Sequence, residues 1–244
     1  MKIRNPKSRS DLKIGKNDNV LEVGGGHNPH PRSNVIVDKF IDSNYHRSGD
    51  IKVRRNQKFM QADGENLPFK DKEFDYVISN QVLEHVDNPA KFLDEHMRVA
   101  RRGYLEAPSL FGEYLFPKES HRWLILEIDR KIVMVEKKKV FRHAEFDISD
   151  VFLHYLPGIS ISYKMLKRNN PRLFNVAIEW DDKFEYIVEP TDPEILKYFT
   201  QYWDSEMIKK LIPARSKASE LIVTLQAFSG VFVDFFVNSL SKKK

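Results

Sequence analysis

In the first half of the chain, apolar residues gather into short runs, each closed by glycine, proline or acidic residues. Residues 19–23 (NVLEV) and 34–38 (NVIVD) read as strands buried on both faces. Residues 58–62 read as a third strand, and 74–79 (FDYVIS) as a fourth behind the polar turn KDKE. The segment DNPAKFLDEHMRVARRG then predicts a helix, with Asn88 as its cap, Pro89 in its first turn, and Phe92, Leu93, Met97 and Ala100 at helical spacing. Arg101 and Arg102 suit the negative end of the helix dipole, and Gly103 is expected to end it. YLEAP follows as a fifth strand. Strands alternating with helical or crossover segments predict an α/β fold with a mostly parallel sheet.

The pattern changes after Pro108. HRWLILEIDRKIVMVEKKK predicts a β-hairpin turning near Asp129 and Arg130, followed by a short helix over 150–155. LFNVAIEWDDKFEYIVE predicts a second hairpin turning at Asp181 and Asp182. The expected organisation is a basic arm over 1–18, a cofactor-binding core over 19–108, and a hairpin-rich, substrate-covering region over 109–190. A helical C-terminal region over 191–244 completes it. Within that region residues 221–233 carry no charge, and Asp234 interrupts the run. Thirteen such residues are too few for a membrane span, which needs about 20. They suit a helix packed on its own domain or on a second copy of the chain; with the terminal lysines, they also suit peripheral contact with an anionic membrane through 219–244.

Composition narrows the classes. The 244 residues, 41% hydrophobic and 31% charged, suffice for a sizeable core in a globular protein. The absence of cysteine excludes disulfides, thiolate metal sites and cysteine nucleophiles, and is compatible with the cytoplasm. MKIRNPKSRS has no apolar core, so no secretory leader is expected there. The net charge of +5 sits largely at the two ends and reads as solvated tails; no nucleic-acid motif accompanies it, and nucleic acid is not the expected partner.

The chemistry gathers around EVGGGHN, directly after the first predicted strand. Glycine there permits positive φ and close approach of a ligand. A dinucleotide fingerprint would need glycine where Pro29 stands, and the lysine of a P-loop is missing. Acids mark the strand ends instead. Asp38 can accept hydrogen bonds from two ribose hydroxyls, Glu22 lies where a cationic amino-acid group could sit, and Asp63 can accept a bond from an adenine amino group. Several carboxylates suit a cationic sulfonium nucleoside better than a dinucleotide.

VLEVGGG, VDKF, ADGENLPF and FDYVISNQVLEHVDNPAKFLDEHMRVARRG, taken in order, resemble the motifs of class I S-adenosylmethionine-dependent methyltransferases, in the small-molecule branch that includes quinone-biosynthesis enzymes. The resemblance covers 19–108 and implies a Rossmann-like, doubly wound sheet with S-adenosylmethionine as cofactor. It sets Gly24, Gly25 and Gly26, with Glu22, against the methionine part, and Asp38 at the ribose. Asp63 and Gly64 fall at the adenine, and Asn80 and Gln81 near the sulfonium and the acceptor. One departure stands out: the family places a full helix after the glycine loop, whereas only HNPHPRSN is available here, and Pro29 and Pro31 oppose a helix.

Methyl transfer from a sulfonium is an in-line displacement in which positioning supplies much of the catalysis. A hydroxyl acceptor would use a general base, for which His85 and His121 are the candidates, each with a plain structural or surface role as the alternative. His27 and His30 are too few to hold a metal, and none is expected. The expected acceptor is a small or lipid-linked molecule, with O-methylation favoured. The alternatives are a catalytically silent binding or assembly protein of the same fold and an RNA methyltransferase, with a nicotinamide oxidoreductase disfavoured by Pro29.

Overall fold

A computed structural model describes residues 2–6, 8–45, 49–140 and 148–241. The predicted parallel strands appear as β2 (Val20–Val23), β3 (Val35–Asp38), β4 (Lys58–Gln61), β5 (Phe74–Asn80) and β6 (Ala100–Pro108). They join β1 (Lys2–Arg4) and β9 (Asn175–Asp181) in a seven-stranded sheet of order β1-β9-β6-β5-β2-β3-β4. Strands β2 to β6 pair in parallel; β9 runs antiparallel to β6, and β1 antiparallel to β9. The chain therefore starts its parallel set at β2, builds outward to β4 and returns to β5 on the other side. That order defines a Rossmann-like, doubly wound sheet and opens a crevice beyond the carboxyl ends of β2 and β5. Among the described residues, only the β5–β6 crossover carries a regular helix, Pro89–Val99; the links between β2, β3, β4 and β5 are loops.

All four residues of β2 are buried, as a parallel strand covered on both faces requires. On one face Leu21, Val37 and Val77 pack with Phe92 and Leu93 of the Pro89–Val99 helix and with a second sheet. That sheet comprises β7 (Trp123–Ile128), β8 (Lys131–Glu136) and β10 (Tyr186–Val188). Its strands alternate: Ile125, Ile132 and Met134 face the main core, while Leu124, Leu126, Val133 and Val135 face Tyr198, Phe199 and Met207. On the other face of the main sheet, Val20, Tyr76, Ile78 and Tyr104 lie under Leu12 and Ile14. The segment read as a basic arm thus covers apolar surface, and β1 closes the sheet edge on β9. Its Arg4 Nε donates to the buried Glu179 carboxylate at 2.7 Å, which also accepts from the Tyr76 hydroxyl and the Lys13 amide, each at 2.6 Å.

The first hairpin forms as expected, with Asp129 and Arg130 at φ 49° and 67° in the turn between β7 and β8. Two expectations require correction. The helix stops at Val99 rather than Gly103, because Ala100 and Arg102 pair with Phe74 and Tyr76 of β5 and Gly103 packs against Trp180. The second hairpin does not form. β9 is buried between β6 and β1 and β10 pairs in parallel with β8, so the turn at Asp182 carries the chain from one sheet to the other.

The C-terminal run forms the helix Lys217–Ser241, which packs on the helix Ile161–Asn169 through Gly230 and Arg168 and through a 3.3 Å bond from Asn169 Nδ2 to Thr224 Oγ1. Ala227 and Val231 are buried, whereas Leu221, Ile222, Leu225, Phe228 and Phe232 are exposed. No helix among the described residues is long and apolar enough to cross a membrane.

Gly103 offers a test of this packing, since a Cβ there would lie 2.5 Å from the Trp180 ring and 2.8 Å from Val77 Cγ1. Gly103→Ala is expected to lower stability by about 1–3 kcal/mol through overpacking, read as an earlier urea midpoint with unchanged slope. An unchanged midpoint would contradict the close approach of β6 and Trp180.

Candidate functional site

The glycine loop takes the place of a helix and is held from beneath. Gly24 and Gly26 adopt φ of +71° and +48°, and the Gly24 amide donates to the Val37 carbonyl at 2.7 Å. A side chain at Gly24 would run into Val82, and one at Gly25 would come within 2.7 Å of Ile36 Cγ2, so protein packing demands these glycines independently of any ligand. Glu22, 1% exposed, reaches under the loop, where its Oε2 accepts from the His30 amide at 2.7 Å and the Ser33 hydroxyl at 2.6 Å. The Gln57 side-chain amide donates to the His30 carbonyl at 2.7 Å and ties the same turn to the approach to β4. Burial pushes the Glu22 carboxyl above its ordinary pKa against the pull of Ser33, Arg9 and the His30 amide. It lowers His30 to about 4, with the neighbouring Arg9 adding to the effect.

Beyond the loop lies a cavity of about 620 Å³ at the carboxyl ends of β2, β3, β4 and β5, within the range of cofactor sites. Gly24, Gly25, Gly26, Asp38, Asp63, Gly64, Asn80, Gln81 and His85 all line it. Glu22 does not; its carboxylate supports the loop from behind. Asp38 Oδ1 accepts from the Phe40 amide at 3.1 Å, which turns the chain away from the end of β3. Asp63 meets Lys39 Nζ at 2.8 Å and accepts from the Glu65 amide at 3.0 Å. Burial works to raise the Asp63 pKa, but the Lys39 ammonium and that amide outweigh it and hold the carboxyl below its usual value. A Cβ on Gly64 would meet the Phe92 ring at 2.5 Å, so backbone alone forms the wall there. Gln81, at φ 58°, is held by bonds from its amide to the Glu106 carbonyl and from its side chain to Glu106 and Asn175. A non-glycine residue in that region is strained, as residues at ligand sites often are.

The far end of the cavity is polar in a different way. The short turn Leu83–His85 presents both Glu84 and His85 to it. His85 Nδ1 donates to the Ser120 carbonyl at 2.9 Å, a backbone acceptor that fixes which nitrogen carries the proton. His121, 5% exposed, lies behind the wall with its ring 4.8 Å from that of His85, edge to face. Its Nδ1 is 2.5 Å from Glu113 Oε2, and Lys137 Nζ lies 2.6 Å from Glu113 Oε1. Burial opposes ionisation of Glu113, yet His121 and Lys137 keep its pKa below the ordinary value. Burial pushes Glu84 up to about 8. The structure therefore brings His85 and His121 together, with only His85 on the cavity wall.

Sequence reasoning missed Lys39, Glu84's burial, Glu113 and Lys137. Lys39 adjoins Asp38 in VDKF and could have been weighed with it; Glu113 and Lys137 come from separate segments, and no spacing signals their meeting.

Comparison with known proteins agrees with this picture. Residues 37–105 match the methyltransferase domain family. An uncharacterized methyltransferase of Mycolicibacterium vanbaalenii is 38% identical over 108 residues, covering 42% of this chain and 42% of that protein. One from Mycolicibacterium gilvum is 31% identical over 114 residues, covering 43% and 44%. The matched stretch spans less than half the length of these relatives. Among solved structures, a methyltransferase of Thermotoga maritima aligns at a TM-score of 0.32 with 23% identity over 40% of this chain and 46% of that one, too partial a likeness to add to the strand order. Over residues 37–105 the chain is similar to the methyltransferase domain family, and its sheet order is the Rossmann-like one that the motifs lead one to expect.

Glu22→Ala would leave the His30 amide and Ser33 hydroxyl buried without their acceptor. It is expected to cost about 2–4 kcal/mol, measured by denaturant unfolding, with Ser33→Ala costing less. Wild-type stability in Glu22→Ala would show that the loop does not depend on this brace.

Proposed function

We propose that the protein is an S-adenosylmethionine-dependent methyltransferase acting on a small-molecule or lipid-linked acceptor, with oxygen as the favoured methyl-accepting atom. The observation that carries this reading is the meeting of Asp38 with Gly24, Gly25 and Gly26 on one cavity wall at the topological switch of the sheet. In this reading the glycine loop receives the methionine part, which needs close backbone approach, and Glu22 holds the loop in shape. Asp38 accepts hydrogen bonds from the ribose hydroxyls, and Asp63 and Gly64 flank the adenine. Asn80 and Gln81 lie towards the sulfonium. The chemistry is a displacement: the acceptor oxygen forms a bond to the methyl carbon as the carbon–sulfur bond breaks, leaving S-adenosylhomocysteine and a proton to be removed. His85 stands on the wall at the end where an acceptor would enter, and His121 positions its ring from behind.

The exposed apolar residues Leu221, Ile222, Leu225, Phe228 and Phe232 support peripheral membrane contact through residues 219–244, which a lipid-linked acceptor would favour. A homodimer through the same helix is the competing use of that surface.

Two measurements test these readings. Calorimetric titration should show micromolar binding of S-adenosylmethionine and S-adenosylhomocysteine and none of NAD. Asp38→Ala should weaken the first two by about 10²-fold or more, since each bond to a charged acceptor contributes about 1.5–3 kcal/mol. No binding by the folded wild type would overturn the proposal. For the tail, the full chain should sediment with anionic liposomes and a chain ending at Ser219 should not; sedimentation of both would exclude the helix as the anchor.

A further inference from the structure

The cluster at the acceptor end has a geometry that acid–base roles alone leave unexplained. Glu84 is 1% exposed, and its Oε2 is buried with no hydrogen-bonding partner among the described residues. Its Oε1 lies 3.8 Å from His85 Nε2 and 3.9 Å from His121 Nε2, beyond the reach of a direct hydrogen bond to either. The three ligand atoms nevertheless fall within 4.8 Å of one another. Both rings are held from their far side: His85 donates from Nδ1 to the Ser120 carbonyl, and His121 from Nδ1 to Glu113, itself anchored by Lys137. With Nδ1 engaged in those bonds, Nε2 is the ring nitrogen left to face a ligand, and both Nε2 atoms lie within 4 Å of the same carboxylate oxygen. Donation of the remote ring N–H to a backbone carbonyl or a carboxylate is the arrangement that orients metal-ligating histidines.

We propose that Glu84, His85 and His121 bind one divalent transition-metal ion of the zinc kind at the acceptor end of the cavity. Bonds of about 2.1 Å meeting at a tetrahedral angle separate two ligand atoms by about 3.4 Å. The two carboxylate–imidazole separations then need to shorten by about 0.4–0.5 Å, and the imidazole–imidazole separation, which lies within 4.8 Å, by up to about 1.4 Å through a turn of the rings. Two imidazoles and one carboxylate suit zinc, iron or nickel; magnesium prefers oxygen donors. Three protein ligands leave coordination positions open to the cavity that Glu84 and His85 line. The ion would lower the pKa of an acceptor hydroxyl held there and orient its oxygen. This role, though not the binding itself, rests on the methyltransferase reading.

The test uses the full chain stripped with a chelator and dialysed, then titrated calorimetrically with Zn²⁺ and with Mg²⁺. One equivalent of Zn²⁺ is expected at micromolar Kd or tighter, with Mg²⁺ at least about 100-fold weaker. His85→Gln, on the cavity wall, and Glu84→Gln should each weaken Zn²⁺ binding by about 100-fold with circular dichroism unchanged. If Glu84→Gln does not fold, His85→Gln decides together with the visible absorption of the Co²⁺-loaded wild type, expected to show bands of a nitrogen-ligated, low-coordinate ion. No stoichiometric uptake by folded wild-type protein, or uptake undiminished in His85→Gln, overturns the proposal. A parallel titration with S-adenosylmethionine separates the two readings: cofactor binding without zinc uptake sinks only the metal site, and zinc uptake without cofactor binding sinks only the methyltransferase.

Discussion

The buried carboxylate of Glu22 is the interaction on which the glycine loop and the crevice beyond it depend. A parallel pair such as β2 and β3 ordinarily joins through a crossover of a dozen or more residues, with a helix to fill the face of the sheet and satisfy the loop's amides. Here the link is short and carries two prolines, so the loop's own polar groups need an acceptor inside the fold. Glu22 supplies it from the middle of a buried strand, binding the amide of His30 and the hydroxyl of Ser33. An ionisable group in such a place is costly unless hydrogen-bonded, and the raised pKa of Glu22 records that cost. With the loop braced, Gly24, Gly25 and Gly26 hold the backbone clear of the crevice, and Asp38 and Asp63 arrive from the neighbouring strand ends at the same wall.

The opposite wall has a separate origin. The turn Leu83–His85 hangs from β5, and its Glu84 carbonyl receives the Arg122 amide, which leads directly into β7. The second sheet thus continues the core beyond Pro108 and supports the Glu84 and His85 wall, with Glu113 and Lys137 reaching back to His121. The glycine-loop wall and the histidine wall of the cavity are in this way supported by different parts of the chain.

The parallel strands were legible because they are apolar runs bounded by glycine, proline and acids, and Asp38 and Asp63 could be placed because a strand end is visible in such a pattern. Local signals failed where tertiary pairing decides. Ala100 to Arg102 have good helix propensity, yet they pair with β5. β9 and β10 look like one hairpin because two strand-forming runs flank a pair of aspartates, but the buried faces of β9 belong to the large sheet. β1, three residues with no apolar pattern, could not be distinguished from a charged tail. The Glu84, His85, Glu113, His121 and Lys137 cluster draws on distant segments; its histidines could be named singly, but their shared carboxylate could not.

A crystal structure of the protein grown with S-adenosylhomocysteine tests the central claim most directly. The account predicts the ligand's amino-acid end over Gly24, Gly25 and Gly26, its ribose hydroxyls within hydrogen-bonding distance of Asp38, and Glu22 still bonded to His30 and Ser33 beneath the loop. A ligand bound elsewhere, or a loop that abandons Glu22 to receive it, would contradict the account.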